Sequence, residues 1–333
     1  MTSLKTLLLA LLLVAGGASA QTTLLNVSYD VMRDFYKDLN PAFQKHWKAR
    51  SGQDVTVQMS HGGSSRQARA VADGLEADVI TMNQHNDIDL LAQRGGLVPA
   101  DWAKRLPNNS APFTSATVFI VRKGNPKGIK DWPDLVKEGV QVIIPNPKTS
   151  GNGRYTYLNG WAFAQKQPGG NAQKAEEFVT RLFRNVPVLD TGGRGATSTF
   201  IQRNIGDVLV TFENEAELIA REFGRGGFEV VYPSLTFLVE PPVSVVDKVV
   251  DKKGTRAAAQ AYLEFLYSAE GQGIAAQNYL RPRNAEVAKR HADKFPALRT
   301  VSIDEFGGWQ QAQKTHFDDG GIFDRVIAAA GKK

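Results

Sequence analysis

Short strand-like runs alternate with helix-like ones along almost the whole chain, and this alternation restricts the fold more than any other feature of the sequence. Thr23 to Tyr29, Asp54 to Met59 and Asp78 to Met82 read as strands. Between and after them, Val31 to Ser51, Arg66 to Asp73 and Asp87 to Arg94 read as helices, the first with Phe35, Leu39, Phe43 and Trp47 at helical spacing. The middle of the chain repeats the theme. Strands are expected at Thr117 to Arg122, Val140 to Pro145, Val186 to Asp190 and Val208 to Phe212. Helices are expected at Trp132 to Lys137, Arg154 to Lys166, Glu176 to Phe183, Thr197 to Arg203 and Glu215 to Phe223. Such a rhythm predicts an α/β fold with mainly parallel sheets flanked by helices.

Two extended segments, Ala116 to Val121 and Val239 to Val246 with its Pro241 and Pro242, read as crossings between two lobes. One lobe then comprises residues 21–115 plus 245–333, and the other residues 116–244. The last ninety residues carry a helix at Arg256 to Tyr267, a helical stretch at Gly271 to Tyr279, and a wrapping tail beyond Pro282. A chain of 333 residues fits two domains.

Residues 1–20 read as a secretory leader. Lys5 is their only charge, an apolar run extends from Leu7 to Val14, and Ala18-Ser19-Ala20 has the small-x-small form of a cleavage site. The run falls well short of the roughly 20 apolar residues that a retained anchor needs. There is no cysteine, which excludes disulfides, thiolate metal sites, thiol nucleophiles and a lipid-modified cysteine. A soluble protein free in a bacterial periplasm is the expectation. The formal net charge of +6 favours anions through long-range steering, and serves solubility equally well. No dense basic run with interleaved aromatics points to nucleic acid.

Four strand-to-helix turns hold the candidate chemistry: Ser28-Tyr29-Asp30, Ser60 to Ser65, Asn146 to Gly153, and Asp190 to Thr197. A helix N-terminus offers backbone N–H groups without intrahelical partners and the positive end of the helix dipole. Glycine lets that backbone approach a ligand, and serine adds a hydroxyl donor. Several such turns meeting at strand ends would cage an anion without a countercharge. Each turn alone is better explained by ordinary capping, and only the four together bring the two readings level.

Enzyme signatures are missing. The sequence has neither a Gly-x-x-x-x-Gly-Lys-Ser/Thr loop nor a Gly-x-Ser-x-Gly elbow. His46, His61, His85, His291 and His316 form no metal-type pair, and His61 is expected to orient its loop. No catalytic residue, cofactor or metal is expected. Arg194, between Gly193 and Gly195, can either hold an oxyanion bidentately or pair with a carboxylate behind the loop; a supporting role is favoured. Phe212 to Glu215 ends a strand at the border of the same cleft.

At these loops the chain resembles the periplasmic sulfate- and thiosulfate-binding proteins of ABC importers. The resemblance rests on Asn26 to Asp30, Ser60 to Ser65 with Gln67-Ala68, Asn146 to Gly151, Gly192 to Thr197, Gly206 to Leu209, Pro241 to Lys248 and Phe306 to Trp309. It implies a type II periplasmic-binding-protein clamshell of two lobes with a dehydrated anion between them. It also implies backbone N–H donors at Asp30, Gly151, Asn152 and Gly193, hydroxyl donors at Ser64 and Ser150, and Arg194 just behind the ligand. The partners it implies are the dianion and an ABC importer permease, with the protein itself a monomer.

Two departures matter. Sulfate-preferring members carry a tryptophan where this chain has Phe212, and a glycine where it has Asn152. Phenylalanine donates no hydrogen bond, which suits the larger, poorly accepting terminal sulfur of thiosulfate. The runs Thr81 to Gln84 and Thr149 to Tyr157 also look more like the thiosulfate branch. Thiosulfate is therefore the expected ligand, with sulfate also bound by closure of the lobes. A cage of donors rejects a protonated phosphate, whose O–H would lack an acceptor, unless the Asp30 side chain supplies one. The competing readings are a phosphate or molybdate carrier and, from another class, a secreted hydrolase.

Overall fold

The computed structural model describes residues 22–222 and 227–332. The expected leader, residues 1–20, lies outside the described residues. Among the described residues no helix is long and apolar enough to cross a membrane.

The first sheet has the order β2-β1-β3-β9. Its central strand β1 (Thr22–Tyr29) runs parallel to β2 (Val55–Gly62) and to β3 (Val79–Thr81), while β9 (Val243–Val245) closes the edge antiparallel to β3. Both faces of β1 are covered, as a parallel strand requires. Leu24 belongs to the core built by helix α1 (Arg33–Ser51), and Val27, on the opposite face, packs with Ala68 of α2 (Ser64–Ala72) and Leu91 of α3 (His85–Gln93). The apolar stripe of α1 is buried as its spacing predicts, with Phe35, Leu39, Phe43 and Trp47 all facing inward. The helix stops at Gly52, whose positive φ of 73° lets its N–H reach back to Lys48 O.

The second sheet is organised by β4 (Phe113–Arg122), a ten-residue strand that follows the short turn α4 (Pro107–Ser110). Its alternation is strict: Phe119 and Val121 enter the larger core, Val118 and Ile120 a separate one with Ile143, Phe200 and Leu209. Here the architecture departs from a mainly parallel sheet. The strand β4 runs antiparallel to β6 (Val208–Phe212), β7 (Phe228–Val231), β8 (Thr236–Val239) and β10 (Arg281–Pro282). Parallel pairs remain between β5 (Val142–Ile143) and β6, and between β11 (Thr300–Val301) and β8. The alternation of elements does not encode strand direction, and a chain arriving from the other lobe enters this sheet running against its neighbours.

Three local expectations are corrected. Val186 to Asp190 lies beside β5, with Val142 N bonded to Asn185 O and Asn146 N to Asp190 O, yet it forms no strand. Pro187 lacks the N–H that a ladder needs. Trp132 to Val136 is a 3-10 turn with Pro133 in its first turn. Most relevant to the site, helices α5 (Gly151–Gln165) and α7 (Gly193–Ile201) begin earlier than expected, on the glycines themselves. Helix α6 (Ala172–Arg184) packs along α5, and α8 (Glu213–Glu222) follows β6 directly. The Phe223 end expected for α8 lies outside the described residues.

The chain returns to the first sheet through Pro241 and Pro242, which join β8 of one sheet to β9 of the other; Pro242 O accepts from Met82 N. Helices α9 (Asp247–Lys253), α10 (Arg256–Phe265) and α11 (Ala269–Gln277) follow. The tail then straps the second lobe. Phe323 of its last helix meets Phe183 of α6 at 5.2 Å between ring centres, and Lys148 pairs with Asp324 at 2.7 Å.

Candidate anion cage between the lobes

Three helices point their first turns at one place. Helix α2 starts at Ser64 after Gly63, α5 at Gly151 after Ser150, and α7 at Gly193 after Gly192. In none of the three does an N-cap side chain accept a hydrogen bond from the first turn. Most helices satisfy such donors with a Ser, Thr, Asp or Asn cap, and Ser150 sits at the right position without doing so. A fourth turn, at Asp30, meets them from the end of β1.

The approach is close. A methyl group on Gly63 would lie 3.0 Å from the carbonyl oxygens of both Thr149 and Thr191. One on Gly192 would lie 2.6 Å from Asp30 Oδ2, and one on Gly193 would lie 3.0 Å from Val31 Cγ1. One on Gly151 would fall on the side chain of Asn83, 1.9 Å from Oδ1. Gly63, Asp30 and Asn83 belong to the first sheet's side, and the others to the second's. These glycines are thus the contact surface of the two lobes.

Each expected site residue has a defined place. Ser64 is buried; its Oγ accepts from Asn83 N at 3.1 Å and donates toward the thioether of Met82 at 3.4 Å, a weak acceptor that leaves the hydroxyl's donor strength largely unused. Ser150 is buried at the α5 N-cap. Asn152 is buried, and its Nδ2 donates to Thr211 Oγ1 at 3.1 Å. Phe212 is buried at the end of β6, edge-on to Tyr155 at 5.6 Å and to Tyr29 at 6.5 Å. Gly151 and Gly193 open their helices. The structure brings these six residues, with Asp30 and Arg194, to the same seam.

The charges beside the seam are paired. Asp30 Oδ2 accepts from Arg194 N at 3.1 Å, so a carboxylate of one lobe stands at the α7 N-terminus of the other. Burial pushes the Asp30 carboxyl above its ordinary range, and backbone N–H groups of Arg194, Asp30 and Val31 pull it back. The Arg194 guanidinium turns to Glu215, Nη1 to Oε1 at 3.2 Å, and Thr197 Oγ1 donates to the same oxygen at 2.8 Å. Glu215 is fully buried, and that burial raises its carboxyl to about 7 against the pull of Arg194. His61 lies within β2, not in a loop, its position set by the register of Ser28 opposite His61. Burial holds its imidazole down at about 4, so it is neutral near pH 7.

Several residues that complete the seam were not singled out from the sequence. Asn83 is buried between the lobes, with its N–H on Ser64 and its carbonyl accepting from Tyr155 Oη at 2.8 Å. Thr211 joins it, as do Gly63, Gly192 and Glu215, which fall within the turns and the cleft-border stretch read from the sequence. The only signal for Asn83 was its run Thr81 to Gln84 just after a strand. On this side of the seam, a polar cavity of about 420 Å³ opens among Ser65, Asp87, Arg154 and Gln313. Among the described residues no cluster of side chains is fit to hold a metal ion.

Residues 24–281 match the family of bacterial extracellular solute-binding proteins. The chain belongs to that family. The thiosulfate-binding protein of Pseudomonas aeruginosa is 69% identical over 97% of both chains. The sulfate-binding protein of Escherichia coli is 56% identical over 91% of this chain and 92% of its own. Among solved structures, the sulfate-binding protein SubI from Mycobacterium tuberculosis superposes with a TM-score of 0.81 at 35% identity, covering 90% of this chain and all of SubI. As a solute-binding protein the chain has two lobes of the type II class, and its family is one of binding proteins, not enzymes.

Proposed function

We propose that this solute-binding protein captures thiosulfate, and sulfate as a second ligand, at the seam, and delivers the anion in the periplasm to the permease of an ABC importer. The observation that carries the reading is the meeting of three helix N-termini from two lobes, none of them capped by its own N-cap side chain. Donors of that kind stabilise an anion through local dipoles. The donor set is the backbone N–H of Asp30, Gly151, Asn152 and Gly193 with the hydroxyls of Ser64 and Ser150; Phe212 forms the apolar wall, and Arg194, held by Glu215, supports α7 from behind. The leader at residues 1–20, the lobe limits 21–115 plus 245–333 (the latter ending in an extension that lies against the other lobe) and 116–244, and a monomeric state are parts of the same proposal.

Discrimination follows from the acceptors. Thiosulfate and sulfate carry no proton near neutral pH, whereas phosphate keeps one. The Asp30 carboxylate, the acceptor that proton would need, already serves the N–H group of Arg194. A phosphate O–H left unpaired in the cage costs roughly 1–3 kcal/mol, a factor of about 5 to 150. The relatives support the sulfur oxyanions. The higher identity to a thiosulfate-binding protein and the Phe212 wall both favour thiosulfate.

Calorimetry of the protein with thiosulfate, sulfate, phosphate and molybdate tests this. Micromolar or tighter binding of the two sulfur anions, with phosphate far weaker, is expected. Tight phosphate or molybdate binding without either sulfur anion refutes it.

A further inference from the structure

Of the α5 and α7 first-turn positions at the seam, Gly151, Asn152 and Gly193, residue 152 alone carries a polar side chain, as Ser64 does for α2. The Asn152 side chain is fixed at both ends. Nδ2 donates to Thr211 Oγ1 at 3.1 Å on β6, and Oδ1 accepts from Thr156 Oγ1 at 3.4 Å one turn along α5. An amide nitrogen has two hydrogens, and Thr211 takes one of them. The same Nδ2 lies 3.3 Å from where a methyl on Gly193 would sit, so it fills the gap between the first turns of α5 and α7. Its anchor, Thr211, immediately precedes Phe212, whose ring offers the seam only C–H groups.

We propose that the second N–H of Asn152 Nδ2 donates to the bound sulfur oxyanion, supplying from α5 the side-chain donor that residue 212, as a phenylalanine, cannot supply. This rests on the reading of the seam as the anion site. A donor placed there reaches an oxygen lying between the two helix N-termini and leaves the Phe212 wall for the sulfur atom. Asn152 thereby becomes a specificity determinant: it restores hydrogen bonding to the anion without placing a donor where thiosulfate presents its poor acceptor.

The direct test is the side-chain amide resonance of Asn152 in the ¹⁵N-labelled wild-type protein, recorded without ligand and with saturating thiosulfate. One proton of the pair is expected to move downfield while the other, held by Thr211, stays. Calorimetry adds the energetics. Asn152→Gly is expected to weaken thiosulfate about 10- to 100-fold, the range for a hydrogen bond to a charged group. The near-isosteric Asn152→Asp, which keeps an oxygen for Thr156 but has no N–H, is expected to weaken it more. An amide pair unmoved by the ligand, or an Asn152→Gly protein binding within twofold of wild type, overturns the proposal. Wild type that binds thiosulfate with either result fails this inference alone, whereas wild type that binds no sulfur anion fails the reading beneath it.

Discussion

Gly63→Ala separates closure of the lobes from the stability of either one. Gly63 has φ −59° and ψ 133°, a conformation open to alanine, so the substitution strains no backbone. The added methyl meets only the opposite lobe, at 3.0 Å from the carbonyl oxygens of Thr149 and Thr191. Ordinary carbon contacts fall near ~3.5 Å, so both contacts are several tenths of an ångström too short. Both oxygens belong to backbone beside α5 and α7 and cannot rotate away. The lobes must part slightly, at the overpacking cost of about 1–3 kcal/mol. That energy is lost from the closed, liganded state alone, and apparent affinity should fall about 5- to 150-fold. Calorimetry with thiosulfate measures the loss, and thermal unfolding without ligand provides the control. Affinity within twofold of wild type would refute closure at this seam. An unliganded protein destabilised by the same amount would show that the methyl strains its own lobe instead.

Other expectations follow from the same geometry. Ser64→Ala removes a buried donor and the acceptor of Asn83 N; thiosulfate and sulfate affinity should both drop about 10- to 100-fold by calorimetry. Phe212→Trp introduces an indole N–H at the apolar wall, and the sulfate-to-thiosulfate affinity ratio should rise at least about fivefold in paired titrations. His316, buried against Tyr157 Oη at 3.0 Å, is held near 4 by burial, far below its unfolded value of about 6.5. A depressed histidine contributes stability that is whole above the unfolded value and is lost as pH falls toward the folded one. Denaturant unfolding between pH 6.5 and 4 should therefore show wild type losing up to roughly 3 kcal/mol more than His316→Gln.

The parts of the fold legible in the sequence were those that local periodicity determines. Phe35, Leu39, Phe43 and Trp47 recur at helical spacing, and α1 buries each of them. The Pro241-Pro242 crossing was legible because proline excludes the segment from the interior of a sheet. The starts of α5 and α7 were not legible. Their opening residues are Gly151 and Gly193, which lower helix propensity, so the pattern placed the helices three or four residues late. That misplacement coincides with the proposed site, where the α7 N-terminus meets Asp30 of the other lobe instead of a cap of its own. Strand direction in the second sheet was hidden for a different reason: β4 pairs with strands up to about 170 residues away in sequence. Asn83 likewise gains its role only from Gly151 across the seam.

A crystal structure of the protein with thiosulfate should show the anion at the junction of α2, α5 and α7. Its oxygens should lie within hydrogen-bond reach of the backbone N–H groups of Asp30, Gly151, Asn152 and Gly193 and of the Ser64 and Ser150 hydroxyls. The terminal sulfur should lie against Phe212, and the Arg194 guanidinium should remain on Glu215. An anion bound elsewhere, or one held chiefly by the Arg194 guanidinium after it has left Glu215, would contradict this placement.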